Sequence, residues 1–306
     1  MTPQAAARMA WCFVLLCAGT TAAADDAVDP GHLSGLVTDE RVAEISGMAA
    51  SARHPGILWV HNDGDHDASL FALDESGKVR AELHIDDAVN IDWEDMARWE
   101  FEGRSYLVVA DTGDNGGLRT ELTLYAVEEP QALDHADLRA PLAWRQRFRW
   151  PDGPRDCEAM TIDPESGDIL LISKKRVPPE LFRLRRTVDP DAVATAERIA
   201  VLGGVDQPSD ADLRRNPVYG RYRSQITSAA IDPQGQALVV LNYRIALVYP
   251  RAPGESWRDA VGRAPKPVNF PWLPQAEAIS FSADGHTLFI ASEKVPAPLI
   301  RLDVVR

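Results

Sequence analysis

EAMTIDPESGDILLISKK, from Glu158 to Lys175, and EAISFSADGHTLFIASEK, from Glu277 to Lys294, are two copies of one pattern. They agree at the leading acid, the small residue after it, the next large apolar residue, the turn glycine and the apolar strand that follows. TSAAIDPQGQALVVLNY, from Thr227, keeps the layout without the acid. SGMAASARHPGILWVHNDG, from Ser46, and EDMARWEFEGRSYLVVADTGDN, from Glu94, repeat it earlier in the chain. Each copy reads as a strand, a glycine turn and a second strand, and self-similarity at a long period is the signature of a repeat architecture. The five heads, Ser46, Glu94, Glu158, Thr227 and Glu277, are 48, 64, 69 and 50 residues apart. Such spacing accommodates four antiparallel strands and their loops, as in a propeller blade. The apolar runs ILLIS, ALVVL, TLFIA and YLVVA have the patterning of buried strands.

The expected fold is therefore all-β, a single β-propeller over residues 25–306, with five blades, or six if a degenerate blade lies between Ala194 and Ser224. Only 30 residues remain from Glu277 to the end, enough for three strands. The segment around Gly35 to Ala43 supplies the missing outer strand in this reading, so the N-terminal strand joins the last blade and removes a free sheet edge. The glycine–histidine and Trp-Asp pairs of WD40 blades are absent. Helix is expected only in short pieces such as Pro130–Leu138 and Pro208–Leu213.

Residues 1–24 carry a lone basic Arg8, an apolar core from Met9 to Ala18 and an Ala-rich end before Asp25. This is the pattern of a secretory signal peptide and places the mature chain in the periplasm or outside the cell. A lipoprotein signal at Cys17 competes, but Leu16 stands where that signal needs a small residue. No other apolar run has the length of a membrane span. Cys12 and Cys17 leave with the signal, so the mature chain keeps Cys157 alone, read as a buried inert thiol. The formal net charge is −14, or −15 without Arg8. That acidity argues against nucleic acid and anionic membranes as partners.

Equivalent heads of different blades converge at one end of a propeller channel. Three carboxylates there, Glu94, Glu158 and Glu277, repel unless something neutralises them, and a cation is the simplest answer. Asp63, Asp95 and Asp111 join them as candidate metal ligands, with Asp92, Asp114, Asn115 and Asp156 close by in sequence. An all-oxygen set suits Ca²⁺. The competing reading is a set of solvated Asp-Gly turns. Asp63-Gly64-Asp65-His66-Asp67 imitates the start of an EF-hand loop but has Ala68 where glycine is needed and Asp74 where glutamate is needed. Lys174, Lys175, Arg244 and Lys294 end the second strands of later units. If they share the mouth, they and a metal make a cradle for phosphate or carboxylate.

The runs EISGMAAS, WVHNDGD, LFALDESGKV, DWEDMA, YLVVADTGDN and LYAVEEP resemble exported bacterial propellers of the SdiA-regulated and phytase-like (esterase-like phytase) group. The likeness is strongest from Glu44 to Pro130, continues through DCEAMTIDP and QAEAISF, and fades between Val188 and Ser224. It implies a propeller fold and, in places, bound calcium; the full calcium and phosphate ligand set of β-propeller phytases does not map onto these residues. Three functions fit: a calcium-binding module for a small anionic ligand or protein partner, a calcium-dependent phosphoester hydrolase, and a glycosidase using paired carboxylates. In the last, Trp59, Trp93, Trp99 and Trp272 would form the sugar platform, against the alternative of blade packing.

Overall fold

A computed structural model describes residues 31–304 apart from 188 and 190; the expected signal peptide lies outside the described residues. Among the described residues, twenty-one strands carry the fold. The first, β1 (His32–Val37), is followed by β2 (Ile45–Ala50), β3 (Ile57–Asn62), β4 (Ser69–Asp74) and β5 (Val79–Asp86). The second unit holds β6 (Trp93–Phe101), β7 (Arg104–Asp111), β8 (Leu122–Glu128) and β9 (Asp137–Arg149). The third holds β10 (Cys157–Ile162), β11 (Ile169–Ser173) and β12 (Glu180–Leu184), then β13 (Val193–Thr195) and β14 (Glu197–Val201). The fourth is β15 (Ile226–Ile231), β16 (Ala237–Asn242), β17 (Ile245–Pro250) and β18 (Lys266–Asn269), and the last is β19 (Ala276–Phe281), β20 (Thr287–Ser292) and β21 (Ala297–Asp303).

Strands pair in order within each unit, and the chain is a β-propeller. β1 pairs with β21 from His32↔Arg301 to Val37↔Ala297, so the N-terminal strand completes the last sheet as the sequence required. It does so a few residues earlier than Gly35 to Ala43. The first and second units also share an edge, because β5 runs parallel to β9. The stretch 194–224 holds no extra sheet. Its strands β13 and β14 edge the second and third units, and the rest is a six-residue helix α1 (Asp210–Arg215) and a 3-10 turn, Gly220–Tyr222. Residues 130–136 form no helix, and Leu138 already lies in β9. A helix the sequence did not announce, α2 (Trp257–Val261), buries Trp257 and Val261 against Leu202 and Tyr249. Among the described residues no helix is long and apolar enough to cross a membrane.

The five innermost strands β2, β6, β10, β15 and β19 contact one another in a closed ring. Core clusters lie between neighbouring units: Trp59, Leu70, Trp93 and Tyr125 fill the space between the first and second, and Val37, Met48, Phe289 and Leu299 that between the last and first. Gly56, Gly103, Gly167, Gly235 and Gly285, one per repeat, all have φ between 68° and 78°, the left-handed turn that explains the repeated glycine.

Every head sits at a β-bulge. The ladder register shifts between Ile45 and Gly47, Trp93 and Asp95, Cys157 and Ala159, Ile226 and Ser228, and Ala276 and Ala278. A bulge leaves one residue unpaired and re-aims its side chain. The repeated heads are thus repeated backbone irregularities that aim five side chains at one end of the channel.

Candidate functional site

All five heads are buried, Glu94 to 4%, Glu158 to 3% and Glu277 to 8% exposure. The two without acid tie units together. Ser46 Oγ donates to the Glu94 carbonyl (2.7 Å), and Thr227 Oγ1 donates to the Ala276 carbonyl (2.7 Å), each in the next unit around the ring. Of the acids, Glu94 and Glu158 face one another.

Two sets of donor oxygens gather around Glu94. Asp63, Asp92 and Glu94 form one, and Glu94, Asp156 and Glu158 the other; in each, the oxygens lie within 4.8 Å of one another. Local hydrogen bonds bring them there. Asn90 Nδ2 donates to the Asp63 carbonyl (2.7 Å) while Asn90 Oδ1 accepts from Trp93 N (3.1 Å), which clamps the β3–β4 loop to the entry of β6. Gly113 N donates to the Asp92 carbonyl (3.1 Å), and Asp114 N to Asp156 Oδ1 (2.9 Å). A Cβ on Gly113 would overlap the Glu94 and Asp92 carboxylates, so the bare glycine is what lets them approach the β7–β8 loop.

Like charges this close are costly: at an effective dielectric of about 20, two unit charges 4.8 Å apart repel by about 3.5 kcal/mol. The carboxyls respond as that predicts. Burial first, then Asp63 and Asp156, pushes Asp92 up to about 6. Burial, reinforced by Asp63 and Asp92, drives Glu94 well above the carboxylate range, and burial raises Asp63 and Glu293. Glu277, buried beside Tyr243, with which it is hydrogen-bonded, is pushed up to about 8 against the pull of Lys174.

One buried cation sits among these acids. Lys174 Nζ is paired with Glu158, lies 5.9 Å from the Tyr243 ring centroid, and lowers the proton affinity of Asp63, Glu94 and Glu277 together. Lys175, more exposed, pairs with Asp156 (2.8 Å) and donates to Asn115 Oδ1 (2.8 Å). Lys294 is exposed, 3.8 Å from Glu44 and 4.0 Å from Glu293. Arg244 is exposed and its charge acts on Asp212; its backbone N–H donates to Asn242. Lys174 and Lys175 therefore share the mouth with the acids, whereas Arg244 and Lys294 stand away from the two donor sets.

Two expected ligands sit elsewhere. Asp95 takes up both of its oxygens within the channel: it accepts from Met96 N (2.9 Å), Met160 N (2.9 Å), Ala229 N (3.0 Å) and Ser228 Oγ (3.0 Å). The equivalent residues are Gly47, Ala159, Ser228 and Ala278, small enough for one carboxyl to reach across to β10 and β15. Asp111 is bound by Arg119 (2.8 Å) and by Asp92 N (3.2 Å), although its Oδ2 is buried without a hydrogen bond. Asp92 and Asp156, which the sequence offers only as neighbours of the heads, take their places beside Glu94. Asp65 and Asp67 of the EF-hand-like run are exposed, and only Asp63 turns inward.

Trp59 and Trp93 are fully buried and Trp99 nearly so; only Trp272 is exposed. Blade packing accounts for the first three. Cys157 is fully buried with its thiol pushed up to about 12 by burial, the inert thiol expected. Of the basic runs, Arg183 pairs with Glu197 (2.6 Å) and Arg186 stacks over Trp99 and Phe101. A cavity of about 210 Å³ opens at the other end of the channel, beside Met48, Met96, Trp99 and Phe281, away from the acids.

No protein-family model and no curated protein matches the chain. Solved structures do. The β-propeller domain of Swd1 from Myceliophteria thermophila aligns at 14% identity over 86% of this chain and 67% of its own, with a TM-score of 0.40. A gluconolactonase of Xanthomonas campestris aligns at 14% identity over 90% of this chain and 95% of its own, with a TM-score of 0.44. Both are similar in fold only, and the fold this chain is left with, on its own strand pairing, is the β-propeller.

Proposed function

We propose that the channel mouth holds a calcium ion and that the protein, exported to the periplasm or beyond, is a binding module for a small anionic ligand or an acidic face of a protein partner. The observation that carries this is the convergence of Asp63, Asp92, Glu94, Asp156 and Glu158, all oxygen donors, with too few cations to balance them. A hard divalent ion suits such a set, and the missing Cβ of Gly113 lets the Glu94 and Asp92 carboxylates come together beside it. Glu277 lies at the rim of the same mouth, linked to it through Lys174. Lys174 supplies a positive group beside the ion, so an anion meets two positive charges in a mouth that is otherwise acidic. The motifs shared with the SdiA-regulated and phytase-like propellers support the same reading.

Elemental analysis of the purified chain tests it. One or more equivalents of calcium in the wild type, lost when Glu94→Gln and Glu158→Gln are combined, is the expected result; equal metal content in both proteins would sink the proposal.

The burial of Lys174 inside the acid cluster favours a second reading, phosphoester hydrolysis. The ion would then neutralise phosphoryl oxygens, Lys174 would orient the phosphate, and a carboxylate of the raised pair Glu94 or Glu277 would hold or move a proton. Turnover of phosphomonoesters that needs calcium and falls in Lys174→Ala supports this reading; turnover indifferent to both removes it.

A further inference from the structure

The seam between the first and second units carries a second donor set, remote from the channel. Glu82 and His84 are two apart on β5, so their side chains leave the same face of the sheet. Across the parallel junction Glu82 is in register with Asp137 of β9. One nitrogen of His84 and one carboxylate oxygen each from Glu82 and Asp137 lie within 4.8 Å of one another. His84 Nε2 is 3.7 Å from Glu82 Oε1.

The imidazole is already oriented. Ser69 Oγ lies 2.9 Å from His84 Nδ1, a bond that fixes the ring and turns Nε2 toward the carboxylates. A metal-binding histidine is commonly held in this way through its other nitrogen. The nearby cations leave the position open: Arg41 Nη1 takes the far oxygen of Glu82, Oε2 (3.2 Å), and Arg139, in register with His84, is paired with Asp86 (2.5 Å). Glu82 and His84 are half-buried and Asp137 exposed, so solvent reaches the remaining coordination positions.

We infer that Glu82, His84 and Asp137 form a binding site for a first-row divalent transition ion, zinc foremost, that staples the first unit to the second. An imidazole with two carboxylates is a donor set for such ions, whereas calcium prefers oxygen alone. Two ligands come from β5 and one from β9, so an ion bound there links the two sheets and stabilises the folded chain by mass action.

The test uses tag-free protein stripped with a chelator and titrated with Zn²⁺ by calorimetry, and with Co²⁺ by visible absorption. One ion per chain is expected at the seam, with His84→Ala and Asp137→Asn each weakening it at least tenfold and Ser69→Ala roughly tenfold, as loss of ligands and of their supporting bonds does elsewhere. The combined Glu94→Gln and Glu158→Gln variant retains this site. Melting curves establish that the surface variants remain folded, and zinc raises the wild-type melting temperature but not that of His84→Ala. Zinc affinity unchanged in both His84→Ala and Asp137→Asn would overturn the inference.

Discussion

Lys174→Met removes a buried cation from a ring of acids. Its side chain is 11% exposed and that of its partner Glu158 is 5% exposed, so the pair is shielded from water. Breaking a buried pair by deleting one partner costs about 3–5 kcal/mol, because the remaining charge is left uncompensated. Here Glu94, Asp63 and Glu277 also lose the same positive neighbour. A folded chain has about 5–15 kcal/mol in all, so in chelator the variant should melt roughly 10 °C below wild type at a few degrees per kcal/mol. Calcium, if it enters this mouth, replaces the missing charge. At a hundredfold excess over its Kd it returns about 2.7 kcal/mol, and with no ammonium to compete it binds Lys174→Met more tightly than wild type. Replacing Glu158 by Gln in the same chain removes both partners and should cost less than Lys174→Met alone. Differential scanning calorimetry with chelator and with calcium measures all of this. A Lys174→Met protein that melts with wild type in chelator and gains nothing extra from calcium would show that Lys174 does not neutralise the acids.

The metal-free protein should lose stability as pH rises from about 4.5 toward about 8, since Glu277 titrates near 8 when folded against an ordinary value of 4.5, and Asp92 near 6. The sign follows from linkage: a carboxyl raised in the folded state binds its proton more tightly there than in the unfolded chain, so protonation favours folding and ionisation opposes it. Melting in chelator across that range should show the slope, and Glu277→Gln should flatten its upper part; a flat wild-type profile counts against it. Asp95→Ala leaves three backbone N–H groups without an acceptor on the channel axis, at about 1–3 kcal/mol each, and urea unfolding should find it among the most damaging single changes in the chain. Gly113→Ala forces the Glu94 and Asp92 carboxylates apart and should weaken calcium binding while the far-ultraviolet circular dichroism stays that of the wild type; calcium affinity equal to wild type would mean that the Asp92 side of the mouth is not used.

The repeat was legible because each head opens a strand and each hairpin needs a left-handed glycine, both of which recur at fixed offsets in the chain. β1 was legible by counting strands after Glu277. What escaped had no period to betray it. Five residues of α2 are too few to show a helical stripe, and its burial comes from Trp257 and Val261 meeting Leu202 in another unit. Pro130–Leu138 forms no helix because its polar–apolar mixture belongs to a loop and to the half-exposed edge of β9. Within the mouth the heads were readable, but the partition among their neighbours was not. In Asp92-Trp93-Glu94-Asp95 alternation alone would send Trp93 and Asp95 to one face, but with the bulge at Glu94 Trp93 packs between units while Asp95 turns to the axis. Arg119, which occupies Asp111, reaches it from the far side of a loop that nothing in the local sequence ties to β7. Ser46 and Thr227, departures from the acid pattern, are explained once their hydroxyls are seen to bond the carbonyls of the neighbouring strands.

Crystals grown in calcium would locate a hard cation held by the acids at the mouth directly, through anomalous scattering. A peak is expected in contact with Glu94, flanked by Asp63 and Asp92 or by Asp156 and Glu158. A mouth without such a peak at saturating calcium, with Lys174 still seated on Glu158, would contradict that expectation.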